Sequence, residues 1–285
     1  MTEHTDPSWS IGIYHGGSPF HFEPASGIVN PVLTPAVITE YDADLVADPF
    51  MLRRGGRWWM FFEAMQRGTK RGDIALAVSD DALRWSYEGI VLSEPFHLSY
   101  PYVFEWDGEV FMIPEALGAE AISLYRADPF PTAWKLEAKL IPGRHADPSI
   151  VRWDGKWWIF TCPRPKINDV LELWIADELT GPWRQHPRSP IINGNAAIAR
   201  PGGRVLEVDG RLIRYTQDCA ETYGRQVRAF EIQRIDEEEY EEREWPGGPV
   251  LTASGNGWNR TGMHNIDPIR LDDGTWIACV DGHCR

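Results

Sequence analysis

The sequence predicts an all-β fold, a five-bladed β-propeller that forms one domain over residues 1–285. Three observations predict this fold. A hairpin-like segment recurs five times, a second pair of strand-like runs follows the first four copies, and the pair that the fifth copy lacks has a counterpart near the N-terminus. Repeats of about 40 residues or more are typical of propellers and solenoids, and four strands per repeat are typical of a propeller blade.

The repeated segment is clearest at 47–61 (ADPFMLRRGGRWWMF) and at 146–160 (ADPSIVRWDGKWWIF). Both copies begin with Ala-Asp-Pro, turn at Gly-Gly or Asp-Gly and continue through Trp-Trp into an apolar run. Weaker copies start at Ser99, Ala199 and Asn265. Because Gly-Gly and Asp-Gly are favoured centres of two-residue hairpin loops, each copy predicts two antiparallel strands.

The second strand pairs complete the predicted blades. The predicted blades span 45–92, 97–141, 144–192, 197–251, and 263–285 joined with 9–33. We expect the N-terminal strands to close the last blade, because closure leaves no exposed strand edge. Neighbouring tryptophans in a strand point to opposite faces, so most of them are expected in cores between blades. The acidic run at 236–244 is expected at a hairpin tip or in a short helical turn.

Charge and cysteine usage limit the classes of partner. The net charge of −14 argues against nucleic acid or an anionic membrane surface as the main partner. No apolar run approaches the ~20 residues of a membrane span, and the start MTEHTDPSWS lacks the features of a signal peptide. The four cysteines show no metal-binding or disulfide spacing. These features predict a cytoplasmic protein without a membrane span, and they do not indicate an oligomeric state.

The five hairpins should bring ten positions to one mouth of the central channel, because the start of one antiparallel strand lies beside the end of its partner. The first strands begin with Asp48, Tyr100, Asp147, Arg200 and Asp267. The second strands close with Glu63, Glu115, Cys162, Gln217 and Asp281. Carboxylates gathered at one mouth repel each other unless they bind a cation, share protons or face a polar ligand.

Each Asp-Pro pair can also have a purely structural role, since an Asp before Pro often only caps a turn or begins a strand. The expected convergence of several carboxylates at one channel mouth favours a functional role. Glycosidic bonds are hydrolysed by paired carboxyl groups, with the general acid and the base about 6.5–9.5 Å apart in inverting enzymes. Nearby loops add the candidate ligand contacts Arg164, Asp218, Tyr223 and His264. His264 is either a solvated loop residue or a ligand, a proton carrier or a contact to metal-bound water. No cofactor is required, and a calcium ion in the channel is left open.

The sequence also resembles known propellers. Five units, three of them headed by Asp-Pro, after NPVL at 30–33, resemble arabinanase- and xylosidase-type glycoside hydrolases of family 43 and their invertase-like relatives. The motifs MIPEA, LYRADPFPTAW, DGKWWIF, ARPGG and YTQD more closely resemble the N-terminal propeller domain of plant glucosamine inositolphosphorylceramide transferases and its bacterial stand-alone relatives. This resemblance covers roughly residues 45 to 285. It implies a carbohydrate-related role without a specific activity.

The hydrolase resemblance implies roles for single residues. Asp48 falls at the position of the general base, and Asp147 at that of the carboxylate that tunes the acid and orients the substrate. The general acid of that family is a Glu two residues before a Pro in the fourth blade, where this sequence has Ala-Arg-Pro at 199–201. Either Glu115 or Glu63 therefore donates the proton from another blade, or the protein does not hydrolyse glycosides by this mechanism.

These residues predict a glycoside hydrolase-like enzyme with a small-molecule or glycan ligand. One alternative is a propeller that binds a glycan or glycolipid without cleaving it. Another is a cyclisation or isomerisation of a small metabolite by acid and base groups in the same pocket. Tyr100, Gln217 and Asp267 are expected to contact the substrate. Arg200 is expected either to pair with a carboxylate or to bind an anionic group of the ligand.

Overall fold

The computed structural model describes residues 8–284 and confirms the predicted five-bladed propeller. Five antiparallel sheets follow one another along the chain. Four are built from consecutive strands, and the fifth combines the last two strands with the first two. In the third and fourth sheets, the last two strands both pair with the same neighbouring strand. The first strand of each hairpin repeat lies at one edge of its sheet. The sheet of the fifth blade combines the two ends of the described chain.

The strand bounds follow chain order. The N-terminal pair and the first blade are β1 (Ser8–Ser18), β2 (His21–Pro24), β3 (Ala43–Arg54), β4 (Arg57–Gln66), β5 (Gly72–Ser79) and β6 (Ser86–Leu92). The second and third blades are β7 (Ser99–Trp106), β8 (Glu109–Glu115), β9 (Ala121–Ala127), β10 (Trp134–Pro142), β11 (Ala146–Trp153), β12 (Lys156–Cys162), β13 (Val170–Ala176), β14 (Arg184–Gln185) and β15 (Ile192–Asn193). The remaining strands are β16 (Leu206–Val208), β17 (Arg211–Asp218), β18 (Gln226–Ile235), β19 (Tyr240–Glu244), β20 (Leu251–Thr252), β21 (Ile266–Arg270) and β22 (Trp276–Cys284).

The N-terminal strand closes the ring, as predicted. β1 pairs antiparallel with β22 in continuous register from Ser8–Cys284 to Gly16–Trp276. Ile11 and Ile13 of β1 are fully buried in one apolar cluster with Met60 and Phe62 of the first blade. The closing strand therefore both completes the fifth sheet and packs that sheet against the first.

The repeated Trp-Trp pairs join neighbouring blades. Trp58 belongs to the apolar cluster between the fifth and first blades, whereas Trp59 packs against the cluster between the first and second blades. Trp157 and Trp158 likewise enter two different clusters. Adjacent residues of a strand point to opposite faces, so each pair supplies one indole to the core on either side of its blade.

The acidic run forms the β18–β19 turn and strand of the fourth blade rather than a helix. Glu237 contacts Arg184, and Glu239 contacts Arg188, so this turn is tied to the third blade by charge pairs. The helical segments of residues 8–284 are three 3-10 turns of three residues each. Within the same residues no helix is long and apolar enough to cross a lipid bilayer.

Candidate active site at the channel mouth

Three of the five strand heads share an unusual backbone conformation. Asp48, Tyr100 and Asp147 have φ angles of 52°, 47° and 48°, and the register of their hairpin shifts at each of them. Each head is therefore a β-bulge with a non-glycine residue in the left-handed region, immediately before proline. Such strained bulges re-aim a side chain and are frequent near functional sites. The bulges of the first and third blades bring Asp48 and Asp147 into one buried cluster of charged groups.

Arg200 organises one half of this cluster. Its Nε donates to Asp147 Oδ2 at 2.5 Å, and its Nη2 lies 3.2 Å from Glu115 Oε2 and 3.3 Å from Asp147 Oδ1. Nη1 donates to Asn168 Oδ1 at 3.0 Å. Gln217 Nε2 also donates to Asp147 Oδ2 at 2.7 Å. Arg200, Glu115 and Asp147 are buried, so this is a charge-paired group shielded from solvent.

His264 organises the other half. Its Nδ1 lies 2.7 Å from Asp281 Oδ2, off the direction of a regular hydrogen bond, and its Nε2 lies 3.7 Å from Asp48 Oδ1. Asp281 also accepts backbone N–H groups of Asp48, His264 and Asn265, each at 3.0 Å. His264 is buried, which excludes the solvated-loop interpretation. Asp281 therefore fixes the imidazole and the backbone of Asp48 together.

Glu63 has no arginine or lysine partner among the described residues and instead contacts His97. Glu63 Oε1 lies 3.4 Å from His97 Nε2. The backbone N–H of Gly72 donates to His97 Nδ1 at 2.9 Å, a shorter contact than the 3.3 Å from Nδ1 to the carbonyl oxygen of Lys70, which favours a neutral imidazole with its proton on Nε2, facing Glu63. The His97 side chain is 38% exposed, whereas that of Glu63 is 8% exposed. His97 thus connects a buried carboxyl group to the solvent.

The pKa values of these carboxyl groups are raised, mainly because burial penalises their charged forms. The pKa of Asp48 rises to about 7, with His264 opposing the effect of burial and Asp147 and Asp281 adding to it. Burial and the surrounding carboxylates raise the pKa of Glu63 well above 4.5. The pKa of Glu115 is also raised by burial and by Asp147, against the opposing charge of Arg200.

His264 responds in the opposite sense to its surroundings. Burial lowers the pKa of its imidazole, but Asp281 and Asp48 together outweigh burial and raise it. A protonated His264 would therefore offset part of the negative charge of this half of the site. Different protonation states of neighbouring groups are what acid–base catalysis needs.

Aromatic rings border the cluster. Trp9 stacks on His264 with ring centroids 3.9 Å apart, and Tyr223 meets His264 edge to face at 5.3 Å. The guanidinium of Arg200 lies 5.2 Å from the centroid of Tyr223, which is 48% exposed. A Cβ at Gly224 would lie 2.9 Å from both Trp9 and His264, so this position needs glycine. These rings form a wall at the mouth.

One group of residues could also hold a metal ion. Asp48, His264 and Asp281 offer ligand atoms within 4.8 Å of one another. Calcium takes six to eight oxygen ligands, whereas one imidazole with two carboxylates is a donor set typical of zinc and similar ions. Asp281 already accepts three backbone N–H groups. The donor set therefore fits calcium poorly.

Four predicted contact residues lie outside this cluster. Asp267 is bound by Arg204 and by the backbone N–H of Met51, and its strand keeps a regular register without a bulge. Tyr100 donates its hydroxyl to the carbonyl of Gly203 and is fully buried.

The other two predicted contacts are paired elsewhere. Arg164 is exposed and pairs with Asp169, 3.3 Å away. Asp218 pairs with Arg228 at 2.9 Å and accepts a hydrogen bond from Gln226.

Sequence reasoning assigned no role to three residues of the site. Asp281 was identifiable as a closing position, but nothing in the sequence pairs it with His264. His97 lies in a loop without a motif, and Trp9 carries the signal of an ordinary strand residue. Their roles depend on contacts between residues of different blades, and no local pattern in the sequence reveals those contacts.

The fold and this site define a class, that of five-bladed propellers with buried carboxylates at the channel mouth. A family 117 glycoside hydrolase of Zobellia galactanivorans has a similar fold, with a TM-score of 0.58 and 13% identity over 96% of this chain and 90% of that chain. An exo-β-1,3-galactanase of Clostridium thermocellum gives a TM-score of 0.63 and 16% identity over 83% of this chain and 60% of that chain. Identities this low show the fold alone.

The family itself is shown by sequence. The model of the family "Glucosamine inositolphosphorylceramide transferase 1, N-terminal" matches residues 1–283, and the chain belongs to this family. Glucosamine inositolphosphorylceramide transferase 1 of Oryza sativa subsp. japonica is 39% identical over 96% of this chain. The chain spans 40% of the length of that relative. The resemblance stated from the motifs is thereby confirmed.

Proposed function

We infer that the channel mouth is the active site of an enzyme that cleaves a glycosidic bond, or transfers the glycosyl group to an acceptor, by general acid–base catalysis. The observation that carries this inference is the set of buried carboxyl groups, in which the pKa of Asp48 is raised to about 7 and that of Glu63 is raised well above 4.5. Two carboxyl groups with different proton affinities can act as a base and an acid in one reaction.

The geometry favours Glu63 over Glu115 as the acid. Glu115 lies 3.2 Å from the permanent cation Arg200, which favours its ionised form, whereas Glu63 contacts His97 and has no arginine or lysine partner among residues 8–284. In this mechanism Asp48 takes a proton from water or from an acceptor hydroxyl, whose oxygen attacks the anomeric carbon. Glu63 gives its proton to the departing oxygen. A water molecule then returns a proton to Glu63 from the solvent, on the side of the partly exposed His97.

The names of the similar proteins support a glycan as the ligand. They describe a glucosamine inositolphosphorylceramide transferase and several glycoside hydrolases. Tyr223, the exposed ring of the aromatic wall, offers a surface of the kind that sugar rings stack on. A sugar-containing head group is therefore our proposed substrate class.

A screen of glycans and aryl glycosides tests this proposal. Wild-type protein is incubated with each compound, and products are identified by mass spectrometry, with Asp48→Asn and the exposed control Asp209→Asn measured in parallel. We expect turnover by wild type and by Asp209→Asn, and a loss of at least about 100-fold in Asp48→Asn, the lower range for a general base. No turnover of any compound, or equal turnover in Asp48→Asn, would contradict it.

A binding module is the second candidate, and Arg200 favours it. This cation stands beside the position where the similar hydrolases are expected to carry their acid, and the chain spans only 40% of its plant relative. A propeller that presents a glycan to a separate catalytic unit would bind the glycan without cleaving it. Calorimetry with recovery of intact ligand supports this candidate, and product on prolonged incubation excludes it.

A further inference from the structure

A second groove lies on the outer side of β1, between the first and fifth blades. Its volume is about 910 Å³, which suits a site for small molecules, commonly about 300–1,000 Å³. No residue of the charged cluster at the channel mouth lines it. The side chains that give it chemical character are Tyr41, Asp42, Asp44, Arg67, Trp258 and Arg260.

Trp258 forms a flat wall of this groove. A Cβ at Gly12 would lie 2.6 Å from the indole, and a Cβ at Gly282 would lie 2.5 Å from it. Two glycines, one in β1 and one in β22, therefore let the indole lie directly against the strand backbones. The ring is only half buried and lines the groove. An aromatic face held rigid in this way can stack on the C–H face of a ligand at little entropic cost.

Planar polar groups stand in the same groove. Arg67 Nε lies 2.9 Å from Asp42 Oδ2 and 3.3 Å from Asp44 Oδ1, so the two carboxylates are held in place. Arg260 is exposed, and no ion pair to it occurs among residues 8–284. Carboxylates accept and guanidinium groups donate hydrogen bonds in pairs, which matches neighbouring hydroxyl groups of a ligand. A purely apolar ligand would remove water from these charged groups and offer them no hydrogen bonds in return.

The groove and the channel mouth share strand β1. Ser8 and Ser10 line the groove, whereas the ring of Trp9 between them stacks on His264 of the channel mouth. Successive residues of a strand point to opposite sides. One short stretch of backbone therefore separates the two sites, and both open on the same end of the propeller.

We propose that this groove is a separate sugar-binding site, in which a pyranose ring stacks on Trp258 and its hydroxyl groups bond to Asp42, Asp44 and Arg260. A pyranose combines an apolar C–H face with a rim of hydroxyl groups, as the groove requires. Sugar binding here depends only on the side chains of the groove. It rests on the proposed function only for the expectation that one extended glycan reaches both the groove and the channel.

Fluorine NMR tests the groove directly. Protein labelled with 5-fluorotryptophan is titrated with glucose, galactose, mannose, xylose and glucosamine, and the Trp258 signal is the one absent from Trp258→Phe. At least one sugar should shift this signal saturably. Trp258→Ala should weaken the affinity for that sugar at least about tenfold, measured by calorimetry. Trp106→Ala, at another partly exposed indole, should not.

Two comparisons separate failure of the groove from failure of the proposed function. A sugar that still shifts the Trp258 signal in Asp48→Asn supports the groove whether or not turnover is found. The inference is overturned if no sugar of the panel shifts the signal. It is also overturned if Trp258→Ala, with unchanged thermal melting, binds that sugar as tightly as wild type does.

Discussion

At the scale of single residues, Arg200 decides how the site is balanced. The sequence left two roles open for it, pairing with a carboxylate or binding an anionic ligand group. The structure shows the pairing, with Asp147 and Glu115, and adds contacts to Asn168 and to the face of Tyr223. Its use as a ligand contact remains a prediction. The position of the guanidinium explains how two buried carboxyl groups lie side by side.

Replacing Arg200 with lysine should destabilise the protein. A lysine keeps the charge but cannot reproduce hydrogen bonds from Nε, Nη1 and Nη2 to three different side chains. We expect a loss of about 1–3 kcal/mol, the scale of one or two hydrogen bonds to charged groups, measured by denaturant unfolding. Unchanged stability would show that charge alone is needed and that the hydrogen-bond geometry is not.

At the scale of strands, the sequence predicted the repeated hairpins well, but it did not predict how the first residues of their strands differ in conformation. The Ala-Asp-Pro, Gly-Gly and Trp-Trp pattern identified β3, β4, β11 and β12 and the channel position of Asp48 and Asp147. The pattern treated all five heads as equal, but the fifth runs in regular register and the fourth breaks at Pro201–Gly203 before the short strand β16. At this break Gly203 forms a bridge to Ile266 of the fifth blade, and a Cβ there would lie 2.0 Å from the carbonyl oxygen of Ile266, so the close approach requires glycine.

The closing strand β1 gives a prediction at this scale. Ile11 is fully buried at the centre of β1, opposite Asp281. Ile11→Ala should lower the free energy of unfolding by about 2–5 kcal/mol, the cost of a cavity in a core. Ile167→Ala, at a side chain that is 52% exposed, serves as the control and should change it by less than about 0.5 kcal/mol. Equal effects of the two substitutions would mean that β1 is not an integral strand of the fifth blade.

At the scale of the whole molecule, an ion pair between a partly buried arginine and a fully buried aspartate connects blades inside the ring. Arg204 Nε lies 2.5 Å from Asp267 Oδ1 and donates from Nη1 to the carbonyl of Val103. Nη2 donates to the carbonyl of Met51, whose N–H donates to Asp267. The pair thus connects the first, second, fourth and fifth blades. Nothing in the sequence around either residue indicates this link, because its four members lie far apart in the chain.

Breaking this pair should be costly. Arg204→Met leaves Asp267 buried without its cation, and we expect a loss of about 3–5 kcal/mol in unfolding free energy. Arg270→Met breaks the exposed pair with Asp209 and should cost less than about 1 kcal/mol. Denaturant unfolding of both variants makes the comparison. Similar small losses in both would show that the ring does not depend on this central link.

The channel-mouth carboxyl groups should also make stability depend on pH. The pKa of Asp48 is about 7 in the folded protein and near 3.8 when unfolded, so the folded state holds its proton more tightly. Its contribution to stability is therefore present at low pH and is lost as pH rises from about 4 to 7. Relative to wild type, Asp48→Asn should gain more than about 1 kcal/mol over this window. Asp209→Asn should gain nothing. A gain that does not grow with pH would contradict this.

The central claim is that the mouth keeps a protonated carboxylic acid close to ionisable partners at neutral pH, and infrared spectroscopy measures this most directly. At pH 7 the wild type should show the carbonyl band of a buried, protonated carboxyl group. Glu63→Gln should remove part of that band, and the exposed control Glu207→Gln should retain all of it. The claim is contradicted if wild type shows no such band at pH 7, or if the full band survives in Glu63→Gln.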